Sequence, residues 1–293
     1  MRARSGSPRA AMVRMIWMNG ELRPLDETAV SPFDHGITVG DGVFETLISY
    51  AGAPFAFTRH HQRLGHSAAG MGLEVPSREG LREACVALLE ANDLTGCLAR
   101  LRITVTGGPA PLGSERGESP PTVMVAATAA PDLGATAKVV VVPFTRNETG
   151  ALAGLKTTSY GENVVALAYA RERGGGEAIF ANTRGELCEG TGTNIFLVRD
   201  DRLLTPPLSS GCLAGVTRAL VLGLCAQEGI PVAEETMPLT ALRESKEAFL
   251  TSTTREVQPI ETVDGSPLPD VPGPLTARLR AAFRSLATRE IDP

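Results

Sequence analysis

Lysine occurs at three positions only, Lys138, Lys156 and Lys246. Lys156 stands in "LAGLKTTSYGENVVAL", between an apolar approach and an expected helix start. A single lysine is ordinarily a surface charge. Partial burial or a cationic neighbour lowers its pKa, and the neutral amine can then attack a carbonyl carbon to form a Schiff base. The second unusual residue is Glu189 in "GELCEGTGTNIF", a carboxylate between a cysteine and a Gly-Thr-Gly run, directly ahead of an apolar strand. Taken alone it reads as a solvated turn residue. Downstream, "GCLAGVTRALVL" puts Gly215, Val216 and Thr217 at a helix N-terminus. Free N–H groups and the positive dipole end suit an anion there, although the plainer role for Thr217 is to cap its own helix. Hydroxyls cluster in "LTSTTREVQPI" (Thr251, Ser252, Thr253, Thr254), and "HHQRL" carries Arg63 on a helix with a partly apolar face.

An amine, an anion cradle and a buried acid together fit one cofactor, pyridoxal phosphate. Lys156 would form the Schiff base, and the helix N-terminus with an arginine would hold the phosphate. Glu189 would face the ring nitrogen and keep it protonated, so that the ring accepts electrons from a breaking bond. The small glycines beside Glu189 would let the ring approach.

These residues need elements to position them. "MIWMNGEL" places Asn19-Gly20 between short apolar flanks, a hairpin signal. "GVFETLISY" and "APFAF" read as a second hairpin, turning at Ala51–Gly52. Helices follow through "RHHQRLGHSAAGMG" (His60, Leu64, Ser67, Ala68 and Met71 in register) and roughly Ser77–Asn92 (Leu81, Cys85, Leu88, Leu89). Strands "LARLRITVT" and "PTVMVAAT" flank the loop "GGPAPLGSERGESPP". A second run opens with the strand "KVVVVPF" and the helix "ENVVALAYARERG", followed by strands within 177–205 and the helix "TRALVLGLCAQEG". It closes with the strands "EAFLTST" and "REVQPIETV" and a terminal helix bearing Leu275, Leu279, Phe283 and Leu286. Mixed elements in both halves predict a two-domain α/β (α+β) protein. The expected divisions are a disordered extension over 1–14, a small α/β domain over 15–130, a linker over 131–137 and a larger cofactor-binding domain over 138–293.

Composition narrows the class. With 43% apolar and 21% charged residues the chain can bury a sizeable core, and a formal charge of -5 offers no basic excess for nucleic acid or an anionic membrane. The N-terminus is arginine-rich without a signal-like apolar run, Met12 or Met15 offers an alternative start, and no stretch reaches membrane-span length. Five scattered cysteines without C-x-x-C predict buried thiols in a reducing, cytoplasmic setting and no zinc site. His60, His61 and His66 make a poor metal face, because adjacent helical positions diverge. "GDGVFE" puts Glu45 where a dinucleotide fingerprint needs its third glycine.

The landmarks "SPFDHGITVGDGVFET", "HHQRL", "LKTTSYGEN", "CEGTGTNIF", "LLTPP", "LAGVTR" and "TSTTREVQPI" resemble the class IV pyridoxal-phosphate enzymes, from about Ile16 to Phe283. These include branched-chain transaminases, D-amino-acid transaminases and 4-amino-4-deoxychorismate lyases. By this resemblance Lys156 matches the Schiff-base lysine and Glu189 the ring-nitrogen partner. Arg63, Val216, Thr217 and Thr253 match phosphate-binding positions, with Tyr160 or Asn163 near the ring hydroxyl. The resemblance also implies a cofactor at the interface of two domains, a homodimer and a small amine substrate, with no metal, nucleic acid or membrane partner.

Within the family, "SPFDHG…GVFET" and "ARLRITVTGG" look most like bacterial aminodeoxychorismate lyases. Val39 and Ile48 stand where branched-chain transaminases usually have a tyrosine and an arginine. Leu112 stands where D-amino-acid transaminases bring an arginine to the substrate carboxylate, with Arg116 nearby. The expected reaction is therefore release of 4-aminobenzoate and pyruvate, a step toward folate. Lys156 would take the proton from the amine-bearing carbon. Transamination shares that step and differs in where the proton returns. A binding protein without turnover is the third reading, disfavoured by the presence of both Lys156 and Glu189.

Overall fold

A computed structural model describes residues 14–199 and 202–293, so the extension expected over 1–14 lies outside the described residues except for Arg14. Two compact units result, one ending at Pro131 and the other running from Asp132 to Ile291.

In the first unit, β1 (Met15–Met18) and β2 (Glu21–Pro24) turn back at Asn19 and Gly20, with φ of 48° and 102°. Positive φ at both positions is what a tight hairpin turn requires, and Asn-Gly tolerates it. Asn19 also meets Val123 twice, its backbone N–H donating to the Val123 carbonyl at 2.9 Å and its Oδ1 accepting the Val123 N–H at 2.7 Å. A short helix, α1 (His35–Thr38), is N-capped by Asp34, which accepts the Gly36 N–H at 2.8 Å. Strand β3 (Gly42–Tyr50) pairs antiparallel with β4 (Ala53–Pro54), which is only two residues long. The second arm of the expected hairpin is cut short because Ala56, at φ 51°, turns the chain into α2 (Phe57–Met71). After α3 (Arg78–Ala91), β5 (Ala99–Thr106) and β6 (Thr122–Ala129) complete a sheet of order β2-β1-β6-β5-β3-β4. Alternate residues Val43, Leu47, Leu101, Ile103 and Val125 form one core with Leu64, Leu81, Leu88 and Leu89 from the two helices.

The second unit begins with β7 (Ala137–Arg146), α4 (Gly161–Glu172) and β8 (Glu177–Asn182), two parallel strands joined through a helix. Strand β7 therefore takes in Ala137, the last residue of the expected linker. Then come β9 (Leu187–Gly190), β10 (Asn194–Arg199), β11 (Arg202–Thr205), α5 (Val216–Glu228), β12 (Val232–Glu234) and the short α6 (Ala241–Glu244). Strands β13 (Glu247–Ser252), β14 (Glu256–Val263) and β15 (Ser266–Pro267) lead to α7 (Pro274–Arg289). The sheet runs β12-β11-β10-β13-β14-β7-β8-β9, with β15 on β14. Ile179, Ile195, Leu197, Leu250 and Ile260 are buried on one face and Phe180, Phe196 and Phe249 on the other, as expected for strands covered on both faces. Leu279, Phe283 and Leu286 of α7 are buried as well. Four of the five cysteines are buried, whereas Cys97 is exposed, since it lies in the turn before β5 and not within an element. No helix of the described residues is long and apolar enough to cross a membrane.

Candidate active site

Glu189 is not a solvated turn residue. It is buried on β9, opposite Phe180 of β8, and its Oε2 accepts the Leu213 N–H at 2.9 Å. The next residue, Gly190, is closely packed: a Cβ there would run into Thr193 Oγ1 and would lie 3.2 Å from the Ala178 carbonyl oxygen and 3.3 Å from the Glu177 carboxyl carbon. Asn194 opens β10 and donates through Nδ2 to the Leu213 carbonyl at 2.8 Å. The peptide units of Leu213 are thus gripped from both sides, N–H by Glu189 and C=O by Asn194. This explains the spacing E-G-x-x-x-N: acid and amide stand at the facing ends of two consecutive strands, β9 and β10, either side of a tight turn, and hold the segment that leads into α5.

Burial pushes the Glu189 carboxyl above the ordinary range; Arg146, the Leu213 N–H and Lys156 pull it back, and Glu177 adds to the upward push. Lys156 is half-buried in the loop between β7 and α4, with its Nζ 5.8 Å from the centre of the Tyr160 ring. Tyr160 is the N-cap residue of α4, and Asn163 is buried in its first turn, where its Oδ1 accepts from Arg146 Nη2 at 2.7 Å.

The start of α5 has no side-chain cap. Gly215 occupies the N-cap position and makes no side-chain cap, and among the described residues no capping hydrogen bond of the Thr217 hydroxyl is seen. Val216 and Thr217 are buried. Gly215 is required because a Cβ there would collide with Asn194 Oδ1. Thr253 lies in the turn between β13 and β14, beside Arg255, whose guanidinium approaches Glu177 at 3.4 Å. Glu177 in turn accepts from the Thr191 N–H at 3.0 Å and from its hydroxyl. One buried carboxylate therefore ties the turn after Glu189 to the turn that carries Thr253. Two buried hydroxyls, Thr193 Oγ1 and Thr251 Oγ1, have no hydrogen-bond partner among the described residues. An uncapped helix start, a half-buried amine, a buried acid with spare acceptor capacity and unused hydroxyls form a donor and acceptor set suited to pyridoxal phosphate.

Arg63 lies on α2 of the first unit, where its Nε and Nη2 hold Glu45 at 2.7 and 2.8 Å. His60 Nδ1 sits 2.7 Å from the same carboxylate. Glu45, unremarkable in the sequence, is fully buried. Burial pushes its carboxyl up, but Arg63 and His60 outweigh this and hold it well below the usual carboxylate range. Leu112 is 74% exposed. Arg116 is taken up by Asp41 at 2.7 and 2.6 Å and by the Gly72 carbonyl at 3.1 Å, which pins the loop between β5 and β6 to the C-terminus of α2. It is an anchor for that loop, and its donors are engaged.

Sequence reasoning missed Arg146, Glu177 and the Leu213 N–H. Arg146 ends the run "VVVVPFTR", where an arginine normally marks a strand leaving the core, and a backbone N–H leaves no trace in residue type.

A family model described as amino-transferase class IV matches residues 42–263. The branched-chain-amino-acid aminotransferase of Escherichia coli is 31% identical over 293 residues, covering 94% of each chain. The D-alanine aminotransferase of Staphylococcus haemolyticus is 31% identical, covering 92% of this chain and 96% of that protein. Among solved structures, a branched-chain aminotransferase from the archaeon Thermoproteus uzoniensis, crystallised with norvaline, superposes with a TM-score of 0.88 at 30% identity, over 95% of this chain and 96% of that one.

Proposed function

We propose, for a chain that belongs to the class IV aminotransferases and uses pyridoxal phosphate, that the reaction is transfer of an amino group from a small amino acid or amine to a 2-oxo acid. The observation that carries the chemistry is the Glu189 carboxylate, buried on β9 and held by the Leu213 N–H just ahead of the start of α5, with Lys156 half-buried in the loop before α4. Pyridoxal phosphate supplies an aldehyde that condenses with amines and a ring that takes up the electrons of a bond breaking at the amine-bearing carbon. Lys156 anchors the cofactor and, once released, moves the proton from that carbon as general base. Glu189 holds a proton at the ring nitrogen. The Val216 and Thr217 N–H groups and Thr253 receive the phosphate; a phosphate role for Arg63 rests on the resemblance of its motif alone, and its Nε and Nη2 hold Glu45. Tyr160 takes the ring hydroxyl in preference to Asn163, whose carboxamide oxygen is bound to Arg146. The chain acts in the cytoplasm as a homodimer, which would cover Val164 and Val165, exposed on α4.

The choice of transamination over lysis rests on relatives named branched-chain-amino-acid and D-alanine aminotransferases at 31% identity over more than nine-tenths of the chain. The lyase, favoured by "SPFDHG…GVFET", keeps one structural argument. The positions that carry tyrosine and arginine in branched-chain transaminases hold Val39, 45% exposed, and Ile48, which is buried, and neither can bind a carboxylate. Purified enzyme given a panel of L- and D-amino acids with 2-oxoglutarate should form glutamate. Release of 4-aminobenzoate from aminodeoxychorismate, without glutamate formation from any donor, would reverse the choice.

A further inference from the structure

Two arginine–glutamate pairs in this chain are built differently. Glu45 is saturated: the Arg63 fork grips both of its oxygens, and His60 adds a third contact. Arg146, at the end of β7, instead approaches Glu189 from the side, Nε to Oε1 at 3.3 Å. Its buried Nε makes no hydrogen bond among the described residues, so this contact is charge against charge without a shared proton. The guanidinium is held in that attitude by other groups. It lies over the Phe180 ring, 4.4 Å from its centre, donates Nη2 to Asn163 Oδ1 at 2.7 Å, and brings Nη1 to 3.5 Å from Glu162. Among the described residues Glu189 accepts a single hydrogen bond, at Oε2 from Leu213, and Oε1 keeps its lone pairs. Arg146 therefore supplies charge to Glu189 without occupying the acceptor that a ring N–H would need.

We infer that Arg146 is a positioning residue acting through Glu189: it keeps that carboxylate ionised yet open, and so decides whether the ring nitrogen of bound pyridoxal phosphate carries its proton. The inference rests on the reading of Glu189 as the ring-nitrogen partner. The titratable and charged groups that act on Glu189 are Arg146 from β7, Lys156 from the loop before α4, Glu177 from β8, the adjacent Cys188 on its own strand and the Cys212 thiol before α5. Both thiols are pushed well above their ordinary values by burial and are uncharged at neutral pH. Lys156 is committed to the cofactor when it binds. Arg146 is then the permanent cation facing the acid, with Glu177 opposing it. Without Arg146 the buried carboxyl would take the proton for itself and present a neutral O–H to an unprotonated ring nitrogen.

The test is the ring-nitrogen resonance of ¹⁵N-labelled pyridoxal phosphate in the holoenzyme, with wild type, Arg146→Gln, Arg146→Lys and Glu189→Gln compared at neutral pH. Wild type should show the protonated position, Arg146→Lys a partial shift away from it because a compact charge supports Glu189 less well, and Arg146→Gln and Glu189→Gln the unprotonated position, with kcat lowered in both while KM changes little. A protonated resonance in Arg146→Gln alongside an unprotonated one in Glu189→Gln would overturn the role of Arg146 and spare that of Glu189. A protonated resonance in Glu189→Gln would overturn both. Should Arg146→Gln fold poorly, the wild-type apoprotein and Arg146→Lys are compared for pyridoxal phosphate and for its analogue with carbon in place of the ring nitrogen. Arg146→Lys, with a compact charge that cannot match the planar fork, should weaken binding of the nitrogen-containing cofactor more than that of the analogue, and equal weakening would sink the inference.

Discussion

Replacing Glu45 with glutamine should destabilise the first unit far more than a single conservative change usually does. The carboxylate is fully buried, and the Arg63 and His60 side chains around it are 11% and 2% exposed, so neither can turn to solvent without breaking the packing of α2 on β3. Taking one partner out of such a buried set leaves uncompensated charge and costs about 3–5 kcal/mol. Glutamine keeps the shape and one acceptor, which places the expected loss near 3 kcal/mol, or about 6–12 °C in melting temperature for a chain of this size. Denaturant titration with far-UV detection reads the midpoint directly. The pH dependence supplies a second check with a definite sign. The Glu45 carboxyl is held below its ordinary value of 4.5, so its contribution is present in full above that pH and fades as pH falls further toward the folded-state value. The gap between wild type and Glu45→Gln should therefore be constant from neutral pH down to about pH 5 and narrow below it. The paired change Glu45→Met with Arg63→Met should recover much of the loss. A cost under about 1 kcal/mol, the value of an exposed ion pair, with no change of the gap in acid, would refute the claim that charge holds this corner together.

Lys156→Ala should abolish turnover and leave the melting temperature within a few degrees of wild type; borohydride should then trap no cofactor mass on the chain, as read by intact mass spectrometry. Gly215→Ala forces a methyl group onto Asn194 Oδ1 at a cost of about 1–3 kcal/mol and should weaken pyridoxal phosphate binding, measured by absorbance after dialysis. Arg116→Met should free the loop between β5 and β6, so that limited proteolysis cuts within residues 107–121 much faster than in wild type. Glu177→Gln should raise the apparent cofactor dissociation constant with kcat little changed in saturated enzyme, because the turns it joins carry phosphate-side groups; an unaltered constant would make its role merely structural.

Much of the fold was legible because its signals are local. Alternation in β5 and β6, the 3.6 spacing of Leu81, Cys85, Leu88 and Leu89, and the Asn19-Gly20 turn are each contained in a short window. The two-residue β4 was not, because nothing in "APFAF" announces that Ala56 turns the chain into a helix. In the site, Lys156 and Glu189 stood out by scarcity and by awkward placement. Arg146, Glu177 and Glu45 did not, since a charged residue at a strand end or inside a strand acquires meaning only from a partner elsewhere in the chain. Arg116, near Leu112 in sequence, shows the same dependence on partners, because only its contacts with Asp41 and Gly72 reveal it as the anchor of its loop.

The grip on Leu213 makes the second unit a gauge. Acid and helix start are both tied to one short stretch of backbone, Glu189 by a hydrogen bond and α5 by the chain itself. If the proposed roles hold, the span from the heterocycle's nitrogen edge to its phosphate arm is fixed by that stretch and resists stretching to suit a guest. Vitamers with the arm lengthened by one methylene, or with the arm moved to another ring carbon, should be rejected by misfit, however well their separate ends are recognised.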